Sequence, residues 1–268
     1  MGTSEGEGRT ALITGASSGI GESFAHCFAA SGHGLVLVAR RKDKLAALAK
    51  TLKAAHGARV TVLPADLALA GAAQALAAAL QRKRMAVDVL VNNAGVLEQG
   101  AFVAMPARRH QQLIDLNVSG LTAMLASFVP PMVERGFGRV LNVASIAAFQ
   151  PVPTLATYAA TKAYVLSLTE SLAEELKGTG VTVTALCPGI TATGMLSSAA
   201  QSNAQLGKLP GFMVGDVDEV AAAGYAACMR GEVIKVPGAV NLAATLAARA
   251  TPKWLLRRVA GMVTRKAF

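Results

Sequence analysis

Acidic side chains run out at Glu232. Beyond it Lys235, Arg249, Lys253, Arg257, Arg258, Arg265 and Lys266 bring seven positive charges and no negative one. The chain has 26 Lys+Arg against 16 Asp+Glu, a net charge of +10, so most of the excess is a basic tail rather than a basic domain. Aromatic residues are only 4%. The basic stripe interleaved with aromatics that a nucleic-acid surface needs is therefore missing, and nucleic acid is not an expected partner. Cysteine is scarce too: Cys27, Cys187 and Cys228 are far apart and make neither a disulfide framework nor a zinc set, so no metal is expected. Charged residues stop at 16% while hydrophobic ones reach 53%, which excludes a disordered chain. The apolar runs break before the roughly 18 residues that a membrane span requires. No secretory pattern opens the chain, and Gly6 stands where myristoylation wants Ser or Thr. A cytoplasmic location is expected.

What is present is an alternation. Arg9–Thr14, Gly34–Ala39, Arg59–Leu63, Val87–Val91, Arg139–Val143, Val181–Leu186 and Val233–Val236 read as strands. Several lack polar alternation, as parallel strands covered on both faces do. Between them, Ile20–Ser31, Asp43–His56, Ala70–Arg84, Arg108–Arg135, Thr157–Lys177 and Asp218–Arg230 carry helical spacing. This pattern predicts an α/β fold, a single doubly wound parallel sheet of Rossmann type with helices on both faces. The organisation reads as a flexible tail over 1–8, a domain over 9–236 and a basic helical extension over 237–268. Thr191–Gly215 has no clear period and reads as a mobile, partly helical loop near the carboxyl ends of the strands.

The first strand runs into Thr14-Gly15-Ala16-Ser17-Ser18-Gly19-Ile20-Gly21 before a helix. Glycines there let backbone approach a pyrophosphate, whose charge sits on the open N–H groups of the helix start. After strand 2 the chain reads Val38-Ala39-Arg40-Arg41, with no carboxylate before Asp43. A guanidinium at that point pairs with a 2′-phosphate, where a carboxylate would take ribose hydroxyls. NADP(H) is the expected cofactor and NAD the less favoured one.

These motifs, with those that follow, carry a resemblance. Asn92-Asn93-Ala94-Gly95 follows strand 4, Asn117 lies in the next long helix, and Ser145 closes strand 5. Tyr158-Ala159-Ala160-Thr161-Lys162 comes next, then Pro188-Gly189 with Thr191 and Thr193. From about Thr10 to Val236 the chain resembles the short-chain dehydrogenase/reductases, in their TGxxxGxG, NNAG and YxxxK motifs. The residues support an acid–base reading by themselves. Tyr158 and Lys162 are four apart, hence on one helix face. An ammonium beside a phenol is expected to lower its pKa, and the Ser145 hydroxyl can hold a carbonyl oxygen while Tyr158 donates a proton.

The resemblance implies the remaining roles. Ser145, Tyr158 and Lys162 are catalytic, with Lys162 also on the nicotinamide ribose and Asn117 holding a relay water. Gly15, Ser17, Ser18, Gly19, Ile20 and Gly21 line the pyrophosphate turn. Arg40 takes the 2′-phosphate with help from Arg41. Asp66, with Leu67 beside it, meets the adenine, and Asn93, Ala94 and Gly95 cover the adenosine half. Pro188 and Gly189 form the PG turn of the cofactor site, and the backbone at Ile190 and Thr191, with the Thr193 hydroxyl, holds the carboxamide. Many NADP-using members carry Lys or Arg where this chain has Ser18. A homodimer or homotetramer is expected, with Arg108–Arg135 and Thr157–Lys177 at the interface.

The substrate side is apolar: Val96, Leu97, Ile146, Ala147, Phe149, Val152, Leu155, Met195 and Leu196. A hydrophobic ketone or aldehyde, or its alcohol, fits better than a sugar or a phosphorylated acid. The motifs do not separate this from 3-oxoacyl or hydroxysteroid reduction. A non-catalytic dinucleotide scaffold is disfavoured because both Tyr158 and Lys162 are kept. Finally, Trp254–Phe268 has helical spacing with Leu255, Leu256, Val259, Met262 and Val263 on one arc and Arg257, Arg258 and Arg265 opposite. Such a helix could lie peripherally in a membrane interface, or dock on a neighbouring subunit or on its own domain.

Overall fold

The computed structural model describes Gly6, residues 8–192 and residues 214–267. Seven strands, β1 Thr10–Thr14, β2 Gly34–Ala39, β3 Val60–Pro64, β4 Val89–Asn92, β5 Gly138–Val143, β6 Val181–Leu186 and β7 Ile234–Lys235, form one sheet in the order β3-β2-β1-β4-β5-β6-β7. Every pairing is parallel. The order reverses between β1 and β4, and it is there that a crevice opens at the carboxyl ends of the strands.

The helices are α1 Gly19–Ala30, α2 Lys42–His56, α3 Ala72–Arg82, α4 Ala107–Ile114, α5 Leu121–Glu134, α6 Ala156–Glu175, α7 Val217–Arg230, α8 Ala239–Ala250 and α9 Lys253–Ala267. One face of the sheet packs Leu35, Leu37 and Val89 against Phe24 and Phe28 of α1, Leu45 of α2 and Val220 of α7. The other packs Leu12, Leu90 and Val140 against Leu76 of α3, Met124 and Phe128 of α5 and Val165 of α6. Strands buried on both faces explain the missing polar alternation. Local chemistry ends the helices: the Asp216 carboxylate accepts from the N–H groups of Asp218 and Glu219 at 2.9 and 3.0 Å, and Gly57 and Gly231 close α2 and α7 at φ 64° and 69°.

Three expectations change. The helix expected over Arg108–Arg135 is not continuous: a π turn, Asp115–Gly120, separates α4 from α5. By length and composition Ala107–Glu134 could span a membrane, but Leu113, Met124, Phe128 and Met132 within it are core residues. The helical extension expected over 237–268 consists of two helices, α8 and α9, where helical spacing was assigned to Trp254–Phe268 alone. Of the loop expected over Thr191–Gly215, the ends form a parallel bridge, Thr191 to Gly215. Thr193, Met195 and Leu196 lie outside the described residues.

Candidate active site

Threonine and asparagine side chains stitch the crevice at its base. Thr14 Oγ1 donates to the Val91 carbonyl at 3.1 Å and accepts from the N–H groups of Asn93 and Ala94 at 2.9 and 3.0 Å. Asn93 Nδ2 returns a bond to the Thr14 carbonyl at 3.0 Å. Two motifs that are separate in sequence, the glycine turn and Asn92–Gly95, thereby form one rigid lip. Gly15 sits at φ 65°, and a Cβ on it would meet Asn93 Nδ2 at 2.8 Å. On Gly21 a Cβ would stand 2.4 Å from the Gly15 carbonyl oxygen. Gly21 therefore does not line the crevice; it lets α1 pack beneath the turn.

Above this lip runs one cleft of about 530 Å³. Gly15, Ser17, Ser18, Gly19, Ile20, Arg40, Arg41, Asp66, Leu67, Asn93, Ala94, Gly95, Ser145, Tyr158, Lys162, Pro188, Gly189, Ile190 and Thr191 all line it. Most of the site read from sequence is thus brought to a single surface. The two arginines behave differently from expectation. Arg41 reaches back to the glycine turn, donating to the Ser17 carbonyl and to the hydroxyls of Ser17 and Ser18 at 3.2, 3.0 and 2.9 Å. Arg40 turns to Asp66, 4.0 Å away, while Asp66 also accepts from the Ala68 N–H. The guanidinium over the turn is therefore that of Arg41.

At the other end, Ser145 closes β5 and caps the short 3-10 turn Ile146–Phe149, its Oγ accepting from the Ala147 N–H at 3.1 Å. Tyr158 is 8% exposed, packed with Leu113, Ala147 and Ala159 beside Val96, Leu97, Val152 and Leu155. Ser145 is the polar neighbour that favours its ionised form. Lys162 is buried one turn along α6 and donates to the Val143 carbonyl at 2.8 Å, with Nζ 5.8 Å from the Tyr158 ring centre. Burial raises the phenol above its ordinary pKa, and Ser145 only partly opposes it. The expected lowering by the ammonium is not seen, because burial also pushes Lys162 down to about 8, with neighbouring Cys187 opposing.

Asn117 stands one layer behind the cleft rather than in its wall. The π turn aims its buried amide at Val96, accepting from the N–H and donating to the carbonyl, both at 2.9 Å, and donating to Thr161 Oγ1 at 3.2 Å. Thr161 Oγ1 in turn donates to the Tyr158 carbonyl at 2.7 Å. The Asn117 side chain thus ties the substrate wall to the tyrosine helix. A second buried chain went unread: Asn92 Nδ2 to Asn142, Asn142 Nδ2 to Thr169, each 3.0 Å, crossing β4, β5 and α6. Its signal was a lone asparagine inside the apolar run Arg139–Val143. The substrate side contains Val96, Leu97, Ile146, Ala147, Val152 and Leu155 as expected, but also Gln99 and Gln150, which nothing in the sequence marked. Phe149 is not part of this wall and lies under Arg249, 5.8 Å from ring to guanidinium.

The shape, the glycine lip and the cation over it fit a dinucleotide laid along the cleft. Known proteins agree. Residues 9–204 match the family model described as short chain dehydrogenase. The structure superposes with a TM-score of 0.80 on a short-chain dehydrogenase from Sphingobium yanoikuyae in complex with NADPH, 38% identical, covering 90% of this chain and 93% of that one. With the bulky-bulky ketone specific alcohol dehydrogenase from Comamonas testosteroni the TM-score is 0.76 at 33% identity, covering 90% and 92%. A 2-dehydro-3-deoxy-L-rhamnonate dehydrogenase (NAD(+)) from a Sphingomonas species is 36% identical over 220 residues, 80% of this chain and 86% of that protein. Relatives thus divide between the two dinucleotides. With its sheet order, its glycine lip and its Ser145–Tyr158–Lys162 cluster in one cleft, the chain belongs to the short-chain dehydrogenases.

Proposed function

We propose that this oxidoreductase uses NADP(H) to interconvert a hydrophobic ketone or aldehyde and its alcohol. The observation that carries the reading is a single cleft with two guanidinium groups at one end, Ser145, Tyr158 and Lys162 at the other, and a mostly apolar wall beside the tyrosine. When bound, the dinucleotide supplies or accepts the hydride. The glycine lip and the first N–H groups of α1 hold its pyrophosphate. Arg41, already fixed against Ser17 and Ser18, would meet the 2′-phosphate with Arg40 beside it, so the cation absent at position 18 is supplied by the residue just before α2.

On the substrate side the Ser145 hydroxyl orients the carbonyl oxygen and Tyr158 gives it a proton. A phenol held above its ordinary pKa stays protonated, the state required for reduction. Lys162 would hold the nicotinamide ribose and supply the positive charge that phenolate formation needs. The same reading includes a homodimer or homotetramer joined through α4, α5 and α6, where Phe102, Ile114 and Tyr164 are exposed.

The test is oxidation of NADPH and NADH by the purified protein against apolar ketones, aldehydes and acyl thioesters. We expect NADPH-dependent turnover of apolar carbonyls, reduced by about 10²–10⁴-fold in Tyr158→Phe with NADPH binding retained. Arg41→Ala is expected to weaken NADPH binding and leave NADH binding unchanged. Turnover confined to charged sugars would remove the substrate assignment, and equal use of NADH would remove the cofactor assignment.

A further inference from the structure

Helix α8 is turned inside out. Its two uncharged polar residues face the protein: Thr245 is buried, and Asn241 packs on Gly189 while Nδ2 donates to the Pro237 carbonyl. Its large apolar residues face outward, with Val240 65%, Leu242 44% and Leu246 56% exposed. After Pro252, α9 adds further exposed apolar residues, Trp254 at 55%, Met262 at 52% and Leu255. The Arg258 guanidinium lies 6.0 Å over the Trp254 ring. From Ala239 onward the sequence has six cations, Arg249, Lys253, Arg257, Arg258, Arg265 and Lys266, and no carboxylate.

We infer that α8 and α9 form a docking surface for an anionic lipid bilayer, apart from the chemistry of the cleft. Apolar side chains that enter the acyl boundary, a tryptophan at headgroup depth and arginines for lipid phosphates are what such an interface uses. A second copy related by two-fold symmetry fits worse, since it would bring the same cations face to face with no carboxylate between them. A nucleic acid would neutralise the arginines but leave Val240, Leu242 and Leu246 in water. Because α8 packs on the Ile146–Phe149 turn, the bilayer would lie beside the substrate wall.

Trp254 is the only tryptophan in the chain, so its fluorescence reports this surface alone. The full-length protein is titrated with vesicles of phosphatidylcholine plus phosphatidylglycerol and with vesicles of phosphatidylcholine only, and binding is confirmed by flotation. Anionic vesicles are expected to shift Trp254 emission to the blue and float the protein, with binding weakened by salt. The exposed pair Arg257→Gln/Arg258→Gln, checked for unchanged thermal unfolding, is expected to bind about thirtyfold more weakly. The inference is overturned by no shift with anionic vesicles, by equal binding to neutral ones, or by an unaffected double variant. It is likewise overturned if a DNA duplex alone produces the shift. A fall in oligomer size in Leu242→Ser/Leu246→Ser, measured by size exclusion, would assign the surface to a second copy instead.

Discussion

At the residue scale, Lys162 shows what the site costs the fold. It is buried, and its ammonium donates to the Val143 carbonyl. Its pKa falls from 10.5 to about 8 because burial disfavours the charge. Between about pH 8 and 10.5 the unfolded chain therefore binds the proton that the folded chain has released. Stability rises with pH across that window, and below it the folded protein carries a desolvated charge. Each pKa unit corresponds to about 1.4 kcal/mol, and losing the Val143 bond returns about 1 kcal/mol. Lys162→Met is thus expected to unfold about 2 kcal/mol later than the parent at pH 7, with the advantage gone near pH 10.5, while turnover is lost. Thermal unfolding at both values decides it, and a less stable variant at pH 7 would show that the ammonium contributes more than it costs. Reading the motif from sequence found the pair but misjudged the phenol, because spacing on a helix reports neighbours and not burial.

At the element scale, the decisive feature is the π turn between α4 and α5. One extra residue per turn shifts the helical phase by about 100°, which lets α4 and α5 each face the core while Asn117 points at Val96. Gly120 ends the turn under the Leu67 carbonyl, where a Cβ would stand at 2.4 Å. Gly120→Ala is expected to destabilise the fold by about 1–3 kcal/mol and to weaken dinucleotide binding by displacing Leu67 and Asp66 from the cleft wall. Denaturant unfolding and NADPH titration measure the two effects; a variant with both intact would mean that the turn tolerates a wider path. None of this was legible in the sequence, where Arg108–Arg135 has unbroken helical spacing. The turn is set by a contact with a loop far away in the chain. The strands and the glycine lip were legible because burial on both faces and a sharp turn each leave a local mark. The order of the two arginines was not, since it depends on how α2 starts.

For the whole molecule, the question is where the catalytic unit ends. The strand–helix alternation stops at Val236, and the sequence placed the boundary there. Helix α8 lies in the extension read as helical, but its packing was not legible, because an inward face is marked by an apolar stripe, whereas Asn241 and Thr245 face inward here. Yet Asn241 fits against Gly189 of the cleft, and α8 packs on the Ile146–Phe149 turn that Ser145 caps. The two parts of the extension should therefore separate on truncation. Ending the chain before Pro252 removes α9 alone and is expected to leave stability and turnover near the parent's. Ending it before Gly238 uncovers Gly189 and the turn, and is expected to cost about 2 kcal/mol, or roughly 4–8 °C in Tm. It should also raise KM for apolar carbonyls, because Ile146 and Ala147 lose the layer that backs them. Calorimetry and steady-state kinetics on the two truncations compare them directly. If both behave alike, α8 is not part of the wall, and the catalytic unit ends at the last strand after all.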